Sequence, residues 1–135
     1  MLEVLEDRRL LSGSVINNGV LNVHGTPQAD HIHINLKEDG LLHVVMNDKV
    51  DTFNPSEVTD IVVDGDDGDD LIEVIKAHVV VNVHGGKGND TLRIFSNSKV
   101  DGGDGLDKVE TSATNLLDSI LDVEVIELVD PPLLS

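Results

Sequence analysis

Aspartates surround short glycine-rich segments in the second half of the chain. The segment DGDDGDD, residues 64–70, carries five carboxylates in seven positions, and Asp90, Asp101, Asp104 and Asp107 lie in two similar segments. Carboxylates a few Å apart repel one another strongly unless a counter-charge lies between them. Together with the carbonyls of tight turns, they supply the hard oxygen ligands that Ca²⁺ prefers. These residue types therefore predict cation sites, provided that the fold brings the segments together.

The glycine-rich segments belong to a repeat of four copies. Each copy has Val two places before its first glycine, Asp five places after that glycine, and an aliphatic residue two places after the Asp. The aligned residues are Gly25, Gly65, Gly85 and Gly102; Val23, Val63, Val83 and Val100; Asp30, Asp70, Asp90 and Asp107; and Ile32, Ile72, Leu92 and Val109. The last three copies are 20 and then 17 residues apart, counted from Gly65 to Gly85 and from Gly85 to Gly102. This period is about the length of one coil of a β-solenoid.

Strands are expected on both sides of each glycine turn. The β-branched run that ends at the Val of each copy is typical of a strand. The glycines allow the positive φ that tight turns need, and side chains alternate between the two faces of the strand that follows. With shorter breaks at 76–78 and 96–98, each coil contains a strand, a glycine turn, a strand and a small turn. We therefore predict an all-β fold, a parallel β-solenoid with a thin aliphatic core. The predicted stacks are Val63 on Val83 on Val100, and Ile72 on Leu92 on Val109.

The first copy, residues 21–32, lacks the glycines of the other turns. It keeps Gly25 and Asp30 but has Thr26, Pro27 and Gln28 between them, and proline fixes φ near −65°. We predict a structural turn that begins or caps the solenoid without full cation binding. We also expect it to lie away from the cation sites, because residues 31–53 intervene before the next copy.

Two further segments complete the predicted domain. Asp39-Gly40 and Asn47-Asp48 separate alternating apolar runs, so residues 31–53 are predicted to form an antiparallel meander over one end of the solenoid. At the other end, residues 120–129 are predicted to form strands that close it. The 135 residues have room for one domain. Its predicted parts are the meander 31–53, the repeat core 61–111 and the closing strands 112–130 within a domain spanning 15–130, with tails at 1–14 and 131–135.

Charge and composition exclude several classes of partner. The net charge of −17 disfavours nucleic acid and anionic membranes and suits cations. The absence of Cys excludes disulfides and thiolate metal sites. No apolar run approaches the roughly 20 residues of a membrane span.

The histidines have two interpretations. His31 and His33 share one face of a predicted strand, and His43 could lie beside them, which would suit Zn²⁺. Exposed strand positions explain them more simply. His24 and His84 precede equivalent glycines, at a position where the other copies have Asp64 and Asp101, so the position is predicted to be polar.

Three segments resemble a known family. GGKGNDTLR (85–93) and GGDGLDKVE (102–110) match the nonapeptide G-G-x-G-x-D-x-U-x of RTX, or hemolysin-type, calcium-binding proteins, and GDDGDDLIE (65–73) matches with Asp66 for the second glycine. The resemblance implies a parallel β-roll with Ca²⁺ between adjacent turns. By position, the implied carboxylate ligands are Asp70, Asp90 and Asp107, and the implied carbonyl ligands are in the turn residues Gly65, Asp67, Gly68, Gly85, Lys87, Gly88, Gly102, Asp104 and Gly105. Many members have glycine turns on both edges; here only one edge has them, so ions are expected along one edge.

Function is predicted from this resemblance and from the absence of catalytic motifs. The chain has no G-x-S-x-G and no H-E-x-x-H motif, so no enzyme activity is expected. The resemblance implies a calcium-binding structural module of a bacterial protein that is extracellular or at the cell surface. The segment 2–13 is similar to a short LEDR-x-L-S segment of large exported proteins, and the alternative for it is an ordinary helix or tail. The alternative function is a calcium-dependent adhesion module that binds another extracellular protein; the lack of Trp and Tyr disfavours a glycan partner.

Overall fold

The fold is all-β. A computed structural model describes residues 13–112 and 119–129, and it contains no α-helix within them. One short 3₁₀ turn, Pro55–Glu57, lies between β5 and β6. The strands are β1 (Gly13–Asn17), β2 (Val20–His24), β3 (His31–Leu36), β4 (Leu42–Met46), β5 (Lys49–Phe53), β6 (Asp60–Asp64), β7 (Leu71–Lys76), β8 (Val81–His84), β9 (Thr91–Ile94), β10 (Ser98–Asp101), β11 (Lys108–Thr111), β12 (Ser119–Leu121) and β13 (Val125–Leu128). No helix in this part of the chain is long and apolar enough to cross a membrane.

The strands form two mixed sheets. One has six strands in the order β1-β2-β6-β8-β10-β12, and the other has seven in the order β13-β11-β9-β7-β3-β4-β5. From β6 onward, consecutive strands alternate between the sheets, and each strand pairs in parallel with the strand two places further along the chain. Each glycine turn therefore connects one sheet to the other.

The register of the parallel strands agrees with the predicted stacks. Val63 pairs with Val83 and Val83 with Val100 in the six-stranded sheet. In the other sheet Leu92 lies between Ile72 and Val109. Every buried apolar side chain in the described ranges is Val, Leu or Ile. Because full burial of such a side chain stabilises by about 1.5–3 kcal/mol, this aliphatic column fixes the register.

The first repeat copy lies on the second, and the prediction that it would lie apart was wrong. β2 pairs in parallel with β6, with Val23 opposite Val63, and β3 pairs in parallel with β7, with Ile32 opposite Ile72. The residues between the two copies form β4 and β5, which lie outside the parallel stack at the edge of the seven-stranded sheet. Such an insertion is tolerated because the entropy cost of loop closure rises only slowly with loop length.

The antiparallel pairing predicted for residues 31–53 is confirmed. β3, β4 and β5 pair antiparallel in sequence. Lys37–Leu41 connects the first pair, and Asn47-Asp48 connects the second, with φ of 83° at Gly40 and 56° at Asn47. β4 and β5 extend the seven-stranded sheet beyond β3, and β3 also pairs in parallel with β7. The Ser14 hydroxyl donates to Asp51 at 2.6 Å, which connects β1 to β5.

Strands also form in the predicted region 120–129. β12 pairs with β10, and β13 pairs with β11, both in parallel. The outer strand β13 is exposed along its length, with Val125, Ile126 and Leu128 all more than half exposed. The predicted tails fall mainly on residues 1–12 and 131–135, outside the described residues, as does the LEDR segment.

Candidate cation site

Glycines let the turns stack directly upon one another. Gly86 and Gly88 in the third copy have φ of 87° and 106°, and Gly103 and Gly105 in the fourth have 82° and 98°. A Cβ added to any of these four glycines would collide with the main chain of the preceding turn. In the second copy Asp66 takes the second-glycine position with φ of 68°, as expected of a residue that tolerates the left-handed region. Glycine is therefore required by close approach as well as by φ.

The four motif aspartates form one buried column. Asp30, Asp70, Asp90 and Asp107 are at most 5 % exposed. The N–H of Asp30 donates to Asp70 Oδ1 at 2.8 Å, that of Asp70 to Asp90 Oδ1 at 2.9 Å, and that of Asp90 to Asp107 Oδ1 at 2.8 Å. The structure thus brings the three predicted carboxylate ligands together in one column, which also contains Asp30.

The second carboxylate oxygen is left without a partner in three of these residues. Oδ2 of Asp70, Asp90 and Asp107 is buried and accepts no hydrogen bond. An unsatisfied buried acceptor costs about 1–3 kcal/mol, and more when it is charged. Each of these three atoms could accept a further partner, such as a hydrogen-bond donor or a cation.

Each Oδ2 without a partner lies beside the Cβ position of a glycine, and a main-chain carbonyl oxygen lies beside the same position. A Cβ on Gly65 would lie 2.5 Å from Asp70 Oδ2 and 2.8 Å from the carbonyl oxygen of Gly85. The next turn repeats this arrangement, with Asp90 Oδ2 and the Gly102 carbonyl oxygen each 2.6 Å from a Cβ on Gly85. At Gly102 the two oxygens come from Asp107 and from Asp122. The pairs combine a carboxylate with a carbonyl, which is the donor chemistry of a hard divalent cation.

Burial makes the ionised aspartates unfavourable in the protein alone. Burial raises the pKa of Asp70 to about 7 and that of Asp90 to about 8. Burial also raises the pKa of Asp107. The carboxylate of Asp30 further raises the pKa of Asp70, and those of Asp70 and Asp107 further raise the pKa of Asp90, whereas the N–H donated to each Oδ1 lowers these values. A cation beside the column would favour the ionised form.

The predicted carbonyl ligands divide into separate groups. The carbonyls of Gly85 and Gly102 face the orphaned oxygens, while that of Gly65 faces Gly25 in the first turn. The carbonyls of Gly68 and Gly88 lie against the next turn, at Gly88 and Gly105 respectively. Three predicted residues instead line an open depression of about 330 Å³ on the outer side of the turns: Asp67, Lys87 and Asp104.

Side chains alone do not form a metal cluster. Among residues 13–112 and 119–129, no group of three His, Asp or Glu side chains is arranged to hold a metal ion. The alternative of a Zn²⁺ site at His31, His33 and His43 is therefore not supported. His31 contacts Glu73 at 2.6 Å, whereas His43 contacts a different carboxylate, Asp39, at 2.8 Å. A cation in the aspartate column would therefore depend on main-chain carbonyls.

The column ends in residues that sequence reasoning missed. At the C-terminal end, the N–H of Asp107 donates to Glu124 Oε1 at 2.7 Å, so Glu124 takes the place of a fifth motif aspartate. Asp122, with φ of 53°, turns the chain between β12 and β13. The spacing of Asp122 and Glu124 does not match the repeat, so only their position after a strand could have indicated a turn.

The histidines before the first glycines belong to an alternating row. His24, Asp64, His84 and Asp101 are in register across β2, β6, β8 and β10. The rings of His24 and His84 lie 3.8 and 3.9 Å from Asp64 and Asp101. Oδ1 of Asp64 accepts the N–H of Asp66, and Oδ1 of Asp101 accepts that of Gly103. The predicted polar character of this position is confirmed.

Comparison of the chain with known protein families, with curated proteins and with solved structures found no match.

Proposed function

We propose that this protein is a calcium-binding structural module, a β-roll whose Ca²⁺ ions lie along one edge between stacked glycine turns. The observation that carries the proposal is the set of three orphaned, buried oxygens, Oδ2 of Asp70, Asp90 and Asp107. From β6 onward, the alternation of strands between the two sheets in constant register supports the β-roll. The residues that would hold the ions are these aspartates and the carbonyls of Gly85, Gly102 and Asp122.

Bound Ca²⁺ would supply positive charge and accept electron pairs from these oxygens. The protein contributes the arrangement: Oδ1 of each aspartate is held by an N–H of the preceding turn, which leaves Oδ2 directed at the glycine. Because the aspartates come together only in the folded chain, calcium binding would add to folding stability.

The proposed location is extracellular or at the cell surface, and the proposed role is structural, without catalysis. Extracellular calcium modules commonly bind at about 10⁻⁴–10⁻³ M. Sites with one carboxylate oxygen and otherwise uncharged ligands belong to this weaker class, since affinity depends on the number of charged ligands. The net charge of −17 would also attract cations to the surface.

Replacing Asp90 by Asn tests the proposal at the centre of the column. In Asp90→Asn, the amide oxygen can keep the bond from the Asp70 N–H, and the amide nitrogen replaces the orphaned Oδ2 and can donate to the Gly102 carbonyl. We expect the variant to be at least as stable as the parent in chelator and to lose most of the stabilisation that calcium gives. Thermal melting with and without calcium measures both effects.

The matched control is Asp48→Asn, which makes the same chemical change at an exposed hairpin residue. It should leave the response to calcium unchanged. If Asp90→Asn gains as much stability from calcium as the parent does, the aspartates only join the turns by hydrogen bonds, and the proposed function is wrong.

A further inference from the structure

The first turn lies in the same stack, yet its aspartate is fully partnered by protein groups. The N–H of Thr26 donates to Asp30 Oδ2 at 2.7 Å. The Thr26 hydroxyl donates to the same carboxylate, 2.9 Å from Oδ1 and 3.2 Å from Oδ2. Asn47, from the turn between β4 and β5, donates its amide to Oδ1 at 3.0 Å. Asp30 therefore differs from the other three motif aspartates, whose Oδ2 atoms have no donor.

The oxygens around this turn are otherwise those of a cation site. A Cβ on Gly25 would lie 2.7 Å from Asp30 Oδ2 and 2.6 Å from the carbonyl oxygen of Gly65. The same pair of oxygens, one from the motif aspartate and one from the next turn, faces Gly65 and Gly85. The difference lies in the hydrogen-bond donors, since three donor groups of Thr26 and Asn47 surround the carboxylate.

The residue before the glycine helps to explain why Thr26 can donate inward. In the second and fourth turns the equivalent N–H groups, those of Asp66 and Gly103, donate to Asp64 and Asp101 at 2.9 and 3.0 Å. The first turn has His24 at that position, so the N–H of Thr26 bonds to Asp30 instead. The third turn also has a histidine, His84, at that position. Its residue equivalent to Thr26 is Gly86, which has a φ of 87° and no hydroxyl.

We propose, on the basis of the calcium sites proposed above, that Thr26 and Asn47 replace a calcium ion at Asp30. The first turn is then a cation-independent cap, and it ends the row of ions at Asp70. Donated hydrogen bonds stabilise a buried carboxylate as a cation does, although they bring no net charge. The cap gives the second turn an ordered surface on which to stack in the absence of calcium.

Ion counting tests the cap with two variants. Thr26→Gly, Pro27→Lys and Gln28→Gly together give the first turn the residues of positions 86–88. We expect this triple variant to bind one more Ca²⁺ than the parent in calorimetric titration and native mass spectrometry. Adding Asp30→Asn to it should return the count to that of the parent. In the parent background, Asp30→Asn should leave the count unchanged. The proposal is overturned if Asp30→Asn alone removes an ion, or if the folded triple variant binds no additional one.

Amide exchange in chelator provides a readout that does not depend on ion binding. The Thr26 N–H should exchange roughly tenfold or more slowly than in the unfolded chain, without calcium, because it is bonded to a buried carboxylate. Exchange at the unfolded rate in chelator, with slowing only when calcium is added, would overturn the cap. If the parent binds no calcium at all, the proposed function fails, and the exchange rate of Thr26 still decides whether the cap exists.

Discussion

At the scale of single residues, the two carboxylate oxygens of Asp70, Asp90 and Asp107 have different surroundings. Oδ1 accepts a main-chain N–H from the preceding turn and so joins consecutive turns, and Oδ2 has no hydrogen-bond partner. Joining the turns needs only an acceptor, which an amide also provides. The buried Oδ2 without a partner makes the ionised carboxylate unfavourable unless a counter-charge lies nearby.

The raised pKa values predict how stability depends on pH in chelator. An aspartate whose folded pKa exceeds its unfolded value binds more protons in the folded state, so the free energy of unfolding falls as pH rises between the two values. For Asp70 and Asp90 this window runs from the unfolded value of 3.8 to about 7 and about 8. Burial lowers the pKa of His33 from 6.5, which makes stability rise with pH below that value, so the aspartates act unopposed by His33 only above it. We expect stability, measured by urea unfolding in chelator, to fall from pH 6.5 to pH 8.

Calcium should weaken or reverse that fall, because at the proposed sites it would bind the ionised carboxylates. Glu73 and Glu110 have lowered pKa values and lose their contribution only as the pH falls below their unfolded value of 4.5, so they do not affect this range. Stability in chelator that stays constant from pH 6.5 to pH 8 would contradict the prediction.

Close stacking predicts an unusual cost for a small substitution. In Gly88→Ala the new methyl would meet the main chain of Gly68, and the left-handed φ adds about 1–2 kcal/mol. Gly40→Ala is the matched control, since Gly40 also has a positive φ but nothing lies near its added Cβ. We expect Gly88→Ala to lose at least about 1 kcal/mol more than the control in urea unfolding. Equal losses would mean that the turns are not packed against one another.

At the scale of elements, a row of alternating charges crosses the outer face of the seven-stranded sheet. Arg93 on β9 donates to Glu73 on β7 at 2.6 Å and to Glu110 on β11 at 3.0 Å. Lys108 continues the row to Glu110 and to Glu127 on β13, at 3.1 and 2.9 Å. Opposite charges directly across parallel strands favour one register, so the row reinforces the register set by the buried aliphatic column.

Removal of Arg93 should weaken this sheet. Arg93→Met keeps an unbranched side chain and leaves Glu73 and Glu110, both mostly buried, without their shared partner. We expect a loss of roughly 1–2 kcal/mol in the free energy of unfolding, smaller at high salt. Lys99→Met, at an exposed position of β10, is the control and should cost little. Equal effects for the two variants would show that the charge row contributes nothing specific.

At the scale of the whole molecule, the stack has two unlike ends. The first turn is satisfied by Thr26 and Asn47, and the last motif aspartate is joined to Glu124. Between them lie the three orphaned oxygens of a chain with net charge −17. The middle of the stack should therefore depend on calcium most.

Chelation is expected to lower the melting temperature markedly. At ~10 mM Ca²⁺ and a dissociation constant of about 3 × 10⁻⁴ M, each occupied site stabilises the fold by roughly 2 kcal/mol. Magnesium should substitute poorly, because it requires tighter octahedral coordination. Calorimetric melting in calcium, magnesium and chelator makes the comparison, and three identical curves would contradict it.

The sequence alone predicts most of the strands, the glycine turns and the pairing of the last three repeat copies. Val63, Val83 and Val100 could be placed in one column because alternation of side chains and close approach of glycines are local properties, which each copy carries in its own residues. The burial of Asp70, Asp90 and Asp107 in adjacent turns follows from the same pattern.

The position of the first copy and the partners of its aspartate depend on long-range contacts that the sequence pattern does not predict. Asp30 bonds to Asp70, 40 residues away, and Asn47 reaches Asp30 from a hairpin 17 residues further along the chain. The repeat aligns Asp30 with Asp70 but does not show that their turns are adjacent, and Asn47 lies outside the repeat. Their contacts depend on the positions of the strands. β4 and β5 lie at the edge of their sheet, so β2 can pair with β6, and β3 with β7. Glu124 joins the column for the same reason, because a side chain from outside the repeat can complete a hydrogen bond wherever the packed strands place it.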